Sequence, residues 1–410
     1  GSDPFVERRH FARRQSAGRD GGTRPHPCYI PENEFRKLRT MIRMYRRVAG
    51  VGLALTMLVA GCGHSSSTSQ GPATSSTPVP SVATSSTRAA SATSQAARDL
   101  PDPHTLRGLT EVPELPDPKP VEGSSAQKLP VTVTDVEGNK VTIKSTSRIL
   151  ALDLYGTLSR TLIGLGLGDK IVGRTVSSTE KQLHDRPVVT ENGHVLNVEA
   201  VAGLKPSVII ADRSVGPKEA LDQLRKSGIP VVLVDPHRSV GSTPQLIRTI
   251  ADAVGKPDAG EALVKRTQEQ IDQAKKQIAA WKPAKPMRVA FLYVRGNAGV
   301  FFILGSENGA NELIQGVGAD DVASDKGITT LVPANAESLV SINPDAIFVM
   351  RDGLASTGGM KGLLARAGVA NTTAGRKQRV ISIPDGISLS FGPQTGEVLT
   401  AVAKALYGVK

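Results

Sequence analysis

Two short segments of this sequence carry side chains that could bind a metal ion. His194 follows a glycine in a polar loop, where an imidazole could reach a metal. Tyr293 and Arg295 are alternate residues of an apolar run that begins at Val289, and alternate side chains of a strand share one face. A cation beside a phenol favours the phenolate, a hard anionic ligand suited to ferric iron. The alternative is that neither residue binds a metal: the histidine would be a solvated loop residue, and the tyrosine would end a strand with its hydroxyl at the surface.

The elements that would position these residues follow an α/β pattern. Short aliphatic or β-branched runs are separated by segments long enough for helices, which predicts parallel strands with crossovers. A hairpin is expected before them, because Val131–Thr134 and Val141–Ile143 alternate around a turn at Gly138. The later runs are 148–152, 171–174, 188–189, 207–211, 231–234, 289–292 and 346–349.

An internal repeat divides this body in two. Residues 197–210 match residues 335–348 position for position, at an offset of 138 and without a gap. Each copy predicts a short helix that is capped by asparagine, carries glutamate in its first turn and ends before a proline that leads into a buried strand. Two copies this far apart indicate two similar lobes and not a solenoid.

One long helix is predicted between the lobes. Apolar and small residues step by three and four from Val264 to Trp281, which is one stripe of a helix. A helix over 257–281 would be about 37 Å long at 1.5 Å per residue. The sequence therefore predicts two Rossmann-like α/β lobes, at 128–255 and 284–410, joined by a single stiff helix within 256–283.

The segment from Met41 to Cys62 is predicted to direct export. Three arginines precede thirteen uncharged residues, Val48–Ala60, and small residues then lead to the cysteine. This is the layout of a secretory signal, and the uncharged run is shorter than the roughly 20 residues that span a bilayer. We expect a signal peptide at 41–61. The tail Leu58–Cys62 resembles the bacterial lipobox, which implies a lipid on Cys62 and attachment to the extracytoplasmic face of the cell membrane.

The stretches on either side of this signal have little to bury. Residues 1–40 are read as a tag or another non-native extension. Seventeen of the thirty-five residues 63–97 are Ser or Thr, and prolines follow. Such a composition stays disordered. We therefore expect 62–127 to be a tether between the anchor and the folded body.

The charge balance argues against a nucleic-acid partner. The chain carries a formal net charge of +12, but twelve basic and five acidic residues lie within the first fifty positions. Aromatic residues make up 3% of the chain, which leaves few rings to stack on bases. Most of the surplus positive charge therefore belongs to the leader.

This combination of parts resembles the substrate-binding lipoproteins of ABC importers, in the class that binds siderophores, cobalamin and haem. The segment Glu337–Asp345 and its repeat partner Glu199–Ser207 match a motif frequent in that class. The resemblance runs from about Leu129 to the end of the chain. It implies a non-enzymatic receptor that serves a permease and its ATPase, with Glu219 and Glu337 meeting arginines of the permease. Both glutamates could instead only complement helix N-termini.

Within that class the candidate metal ligands acquire roles. Glu-Asn-Gly-His, ending at His194, and Tyr-Val-Arg, at Tyr293 to Arg295, are similar to the axial histidine, axial tyrosine and tyrosine-supporting arginine of the haemin-binding lipoproteins of corynebacterial uptake systems. The resemblance implies that ferric haem is the transported ligand, clamped by one ligand from each lobe. It also allows haem-donating surface proteins as partners.

Further pocket residues are expected where strands end, because ligands of open α/β sheets bind beyond the carboxyl ends of the strands. Arginines there would meet the propionates of haem, and the competing phenol Tyr155 would form part of the cleft wall. The candidates are Tyr155, Arg174, Arg213, Met350, Arg351 and Phe391.

Three alternatives remain open. One is a siderophore or cobalamin receptor, in which Tyr293 would be only a wall. Another is a zinc or manganese site of His184, His194 and His237 in the N-terminal lobe, although such sites usually draw ligands from both lobes and the C-terminal lobe has no histidine. The third is a cell-surface α/β enzyme. The sequence contains no nucleophile elbow, phosphate loop or His-Glu-x-x-His motif.

Overall fold

The computed structural model describes residues 100–122, 126–297 and 299–410. Its strands are Leu109–Glu111 (β1), Val131–Thr134 (β2), Lys140–Ile143 (β3), Ile149–Leu152 (β4), Ile171–Gly173 (β5), Thr190–Glu191 (β6), Val195–Leu196 (β7), Val208–Ala211 (β8), Val231–Leu233 (β9), Arg288–Arg295 (β10), Val300–Ile303 (β11), Asp320–Asp321 (β12), Val332–Pro333 (β13), Ala346–Met350 (β14) and Val380–Ile383 (β15). Its α-helices are Thr157–Gly164 (α1), Val198–Gly203 (α2), Lys218–Lys226 (α3), Thr243–Ala253 (α4), Pro257–Trp281 (α5), Ala310–Gly316 (α6), Val322–Asp325 (α7), Ala336–Ile342 (α8), Arg351–Ser356 (α9), Gly359–Leu364 (α10), Thr373–Lys377 (α11), Asp385–Ser388 (α12) and Thr395–Tyr407 (α13).

The N-terminal lobe is built on a parallel sheet with the strand order β5-β4-β8-β9. Alternate residues of β4 face opposite layers: Ile149 packs in an apolar cluster with α1 and α4, whereas Leu150 packs in a second cluster with α2 and α3. A strand buried on both faces is apolar throughout, which explains the uninterrupted run in the sequence. The predicted hairpin is also present as β2 and β3, which pair Val131 with Ile143.

The C-terminal lobe has a mixed sheet in the order β1-β15-β14-β10-β11-β13, with β12 beside β10. The strands β10, β14 and β15 are parallel, and β11 returns antiparallel to β10. Residues of β10 alternate between two buried clusters, so Phe291 and Tyr293 share one cluster whereas Leu292 and Val294 share the other. The predicted common face of Tyr293 and its alternate neighbours is therefore confirmed.

The two copies of the internal repeat fold alike, as predicted. The side chain of Asn197 caps α2 by accepting the N–H of Ala200 at 2.9 Å, and Asn335 caps α8 by accepting the N–H of Ser338 at 2.8 Å. Each short helix leads into a central buried strand, β8 or β14. The helix α5 spans Pro257–Trp281, as the apolar stripe predicts, and packs against α4 of one lobe and α13 of the other. The fold is two Rossmann-like α/β lobes joined by this helix.

The segment 100–122 corrects the expectation of a tether that extends to residue 127. Strand β1 pairs in parallel with β15 of the C-terminal lobe, and Val112 is fully buried. Asp117 then accepts the N–H groups of Lys181 and Gln182 in the N-terminal lobe, at 2.8 and 2.9 Å. We call residues 109–121 the strap, because they bridge both lobes. The composition of this segment predicted disorder. Its few apolar residues are instead ordered by pairing with a distant strand and by packing in the core of the C-terminal lobe.

Residues 1–99 lie outside the described part of the chain. The expected extension at 1–40, signal peptide at 41–61, lipidated Cys62 and most of the tether fall there. Among the described residues, no helix has the length and apolar character required to cross a membrane.

Candidate functional site

The N-terminal lobe presents His194 at the tip of the small hairpin formed by β6 and β7. Asn192 and Gly193 both have positive φ, 49° and 89°, which closes the turn. The tip is anchored, because the carbonyl of His194 accepts the N–H of Gly216 at 3.0 Å. The hairpin thus holds a half-buried imidazole in a defined place.

Burial favours the neutral form of the His194 imidazole. Burial lowers the pKa of His194 to about 4, although a contact with the Asn192 backbone raises it. Nδ1 lies 3.4 Å from the carbonyl oxygen of Asn192. A carbonyl can only accept, so this contact favours a proton on Nδ1 and places the ring's lone pair on Nε2.

The C-terminal lobe presents Tyr293 and Arg295 at the carboxyl end of β10. Tyr293 is 5% exposed, and the guanidinium carbon of Arg295 lies 5.1 Å from the centroid of its ring. This is a cation–π distance. The expected pairing of phenol and cation is therefore present on one strand.

Asp385, which the sequence analysis missed, holds this arginine in place. Its Oδ1 lies 2.5 Å from Nη2 of Arg295, and its Oδ2 accepts the N–H of Asp352 at 2.8 Å. Burial raises the pKa of Asp385, although the attraction of Arg295 lowers it. Asp385 follows β15 directly, so the rule that places pocket residues after strands could have found it.

The backbone around Arg295 is also shaped to receive its side chain. A Cβ on Gly353 would lie under 3.0 Å from Nη1 of Arg295 and 2.5 Å from the carbonyl oxygen of Val294. Only glycine leaves this space open. Nη2 of Arg295 contacts Sδ of Met350 at 3.3 Å. The predicted pocket residue Met350 therefore lies beside the arginine that is predicted to support Tyr293.

The short helix α12, which begins at Asp385, and the segment after it also contact the N-terminal lobe. Arg160 of α1 donates from Nη1 to Oε1 of Gln394 at 2.7 Å and from Nε to the carbonyl of Gly386 at 3.3 Å. A Cβ on Gly386 would overlap the hydroxyl of Thr179. The position of Asp385 is thus set from both sides of the cleft.

Tyr155 lies against the C-terminal core cluster that contains Tyr293 and Phe391, which suits the predicted role of a cleft wall. Burial raises the pKa of Tyr155 to about 12. Its phenol therefore stays protonated and is a poor competitor for iron(III). Arg238 lies 5.4 Å from the ring centroid of Tyr155.

Arg238 belongs to a buried charge cluster at the carboxyl ends of β4 and β8. Its Nη2 contacts Asp212 and lies 3.5 Å from Asp153, and all three side chains are at most 2% exposed. Burial raises the pKa of both carboxyl groups, against the attraction of the arginine. The cluster joins the strand ends rigidly beneath Tyr155.

The structure separates the three arginines expected in the pocket. Arg213 is bound by Glu137 at 2.8 Å and Asp222 at 2.9 Å, and Arg351 is bound by Glu114 at 2.7 Å and by a strap carbonyl. Carboxylates thus hold the guanidinium groups of Arg213 and Arg351, and contacts of these two arginines with the haem propionates stay a prediction. Arg174 differs, because its half-buried guanidinium makes a 3.4 Å contact with the Ser178 carbonyl.

The remaining predicted residues are placed as follows. Phe391 is 5% exposed, within the cluster of Tyr293. Glu219 and Glu337 are exposed, one on each lobe. His184 and His237 are exposed, and each lies beside an aspartate close in sequence, Asp185 and Asp235. Within the described ranges, no group of three His, Cys, Asp or Glu side chains is placed to hold a metal.

Known proteins share this architecture. Residues 154–386 match the periplasmic binding protein family. The haem-binding protein HmuT has 49% identity and a TM-score of 0.74, over 76% of this chain and 100% of that one. The periplasmic haem-binding protein RhuT of Roseiflexus sp. RS-1, in its apo form, has 32% identity and a TM-score of 0.61, over 64% and 99%. YvrC of Bacillus subtilis, an uncharacterised ABC transporter substrate-binding lipoprotein, is 27% identical over 68% of this chain and 86% of its own.

Variants of HmuT have also been solved in which a histidine, a tyrosine or an arginine is replaced by alanine. In that protein the tyrosine comes 99 positions after the histidine, and the arginine comes two positions after the tyrosine. The family match covers more than half of the chain and the fold agrees with it, so this chain belongs to the periplasmic binding protein family.

Proposed function

We propose that this protein is a receptor that captures ferric haem outside the cytoplasm and delivers it to an ABC permease. The observation that carries the proposal is the pairing of a neutral imidazole on one lobe with an arginine-supported phenol on the other. His194, Tyr293 and Arg295 also repeat the residue types and spacing of the three substituted residues of HmuT.

The chemistry of the two ligands suits a ferric porphyrin. A phenolate is a hard anion that stabilises iron(III), and Arg295 favours the anionic form of Tyr293. His194 adds a neutral nitrogen ligand from the opposite lobe. Arg174, whose Nε has no hydrogen-bond partner among the described residues, is the candidate to bind a propionate. The protein would bind and release its ligand without catalytic turnover.

The outer surface would meet the transporter. Glu219 and Glu337 are exposed, one on each lobe, and we propose that each binds an arginine of the permease. Cys62 would carry the lipid that keeps the receptor at the membrane. We further propose that 128–255 and 284–410 act as the two lobes, with 256–283 as their link.

A haemin titration followed by visible spectroscopy tests the ligand assignment. The protein should give a saturable Soret band at one equivalent. Tyr293→Phe should lose the high-spin charge-transfer feature and weaken binding, and His194→Ala should alter the spectrum. The matched control is His184→Ala, at an exposed histidine, which should leave the spectrum unchanged. If the Tyr293 and His194 variants both match the parent protein, the axial assignment is wrong.

A further inference from the structure

A second concave surface lies far from the cleft residues. The groove, as we call it, has a volume of about 780 Å³ and lies between the strap, α5 and α13. This volume is typical of sites for small molecules. Its apolar wall consists of Leu106, Leu115, Ala274, Ala401 and Val409. None of the described residues that line it belongs to the haem site.

One wall of the groove is formed by a buried arginine. Arg379 is 2% exposed. Its guanidinium donates to Oγ1 of Thr110 at 2.7 Å and to the carbonyls of Ala405 and Leu406 at 2.5 and 2.8 Å. Nε is buried and has no hydrogen-bond partner among the described residues. Every acceptor of this cation is thus a neutral oxygen.

The electrostatics of Arg379 indicate an uncompensated charge. Burial lowers its pKa to about 10, and no carboxylate opposes that effect. A buried charge without a counter-ion is costly. An anion that entered the groove would therefore gain from a cation that is already desolvated and fixed.

The rim of the groove is also positive. Arg107, Lys404 and Lys410 line it together with two acidic residues, Glu111 and Glu397. The two oxygens of Glu397 accept the side-chain amides of Gln270 and Gln394, and its charge remains. With Arg379, the lining side chains are four basic and two acidic, a formal surplus of +2. The described lining contains no His, Tyr, Cys or Met, so it offers none of the usual axial ligands of haem iron.

We propose that this groove binds an amphipathic carboxylate, with the apolar chain along Ala401 and Leu115 and the carboxylate between Arg379 and Lys404. An inorganic anion would leave the apolar wall of the groove without contacts. A neutral hydrocarbon would leave the basic side chains without a counter-ion. The site would operate independently of haem capture.

Equilibrium dialysis with radiolabelled dodecanoate, below its micellar concentration, tests the proposal on the full chain. We expect saturable binding of one equivalent, with or without bound haem. Lys404→Glu should weaken binding about tenfold through loss and reversal of one charge, and the neutral analogue dodecanol should bind about tenfold more weakly. Ala401→Trp should abolish binding by filling the groove. Lys275→Glu, an exposed charge reversal on α5 beside a different pocket, is the matched control and should bind normally.

Several results would overturn the proposal. Binding that does not saturate, or that survives in Ala401→Trp, would show that the groove is not the site. Equal affinity for dodecanoate and dodecanol would remove the role of the cations. Displacement by haemin would place the fatty acid in the cleft. All variants retain the buried Arg379. Thermal denaturation of each variant verifies that it remains folded.

Discussion

Replacing Gly353 by alanine should weaken haem binding without removing any ligand of the iron. The new Cβ would lie under 3.0 Å from Nη1 of Arg295, so the guanidinium has to move away. At an effective dielectric constant of about 20, a unit charge 5.1 Å from a phenolate centre contributes about 3 kcal/mol. A retreat of about 2 Å would remove about 1 kcal/mol, which corresponds to roughly fivefold weaker binding.

The assay is a haemin titration of Gly353→Ala beside Arg295→Ala. The two variants should change the spectrum in the same direction, with a smaller loss of affinity in Gly353→Ala. The clash with the Val294 carbonyl should also lower the free energy of unfolding by about 1–3 kcal/mol, which thermal denaturation without haem measures separately.

Two other glycines serve as controls for this experiment. Gly203→Ala meets nothing within 4 Å, whereas Gly362→Ala meets the carbonyl of Thr357 and does not touch Arg295. The first should leave haem affinity unchanged and raise the free energy of unfolding by about 0.5–1 kcal/mol, because it replaces a helical glycine. The second should lower only stability. Parent-like affinity of Gly353→Ala, or an equal loss in Gly362→Ala, would refute the view that the position of Arg295 controls haem binding.

Three more results are expected. Without haem, the free energy of unfolding should fall as the pH falls from about 6.5 to 4, because His194 takes up its proton in the unfolded chain before it does in the folded one; His194→Gln should reduce this slope in denaturant titrations. Arg238→Met should cost about 3–5 kcal/mol of stability, since it leaves Asp153 and Asp212 buried without their cation; a cost below about 1 kcal/mol would show that the cluster is not a stability determinant. Val112→Ala should cost about 2 kcal/mol, because this strap residue is fully buried, whereas a surface segment would tolerate the change.

Local patterns in the sequence predicted the elements of the fold well. The stripe of α5, the caps at Asn197 and Asn335 and the alternation of β10 all follow from interactions between residues close in sequence. Tyr293 and Arg295 could be placed on one face for the same reason. Placing both residues on one strand requires no information about the rest of the chain.

Long-range partners could not be predicted in this way. The strap appeared to be a tether because its binding strand β15 lies about 270 residues later. The ion pair of Arg351 was not predicted, because its partner Glu114 lies 237 residues earlier. Asp385 was missed because its role depends on Arg295, 90 residues before it. In each case a charged or short apolar segment has no local pattern that identifies its partner.

The strap changes what the two lobes can do mechanically. Two bodies joined by one rod can swivel about it, but two bodies joined at two separated places turn only about the line through both. Here α5 is one connection, and the chain from Val112, bonded to Ser382, to Val121, bonded to Gly164, is the other. Twisting of the lobes against each other is thereby suppressed. A motion that opens the cleft has to turn both connections together and also break the contacts of Arg160 with Gly386 and Gln394.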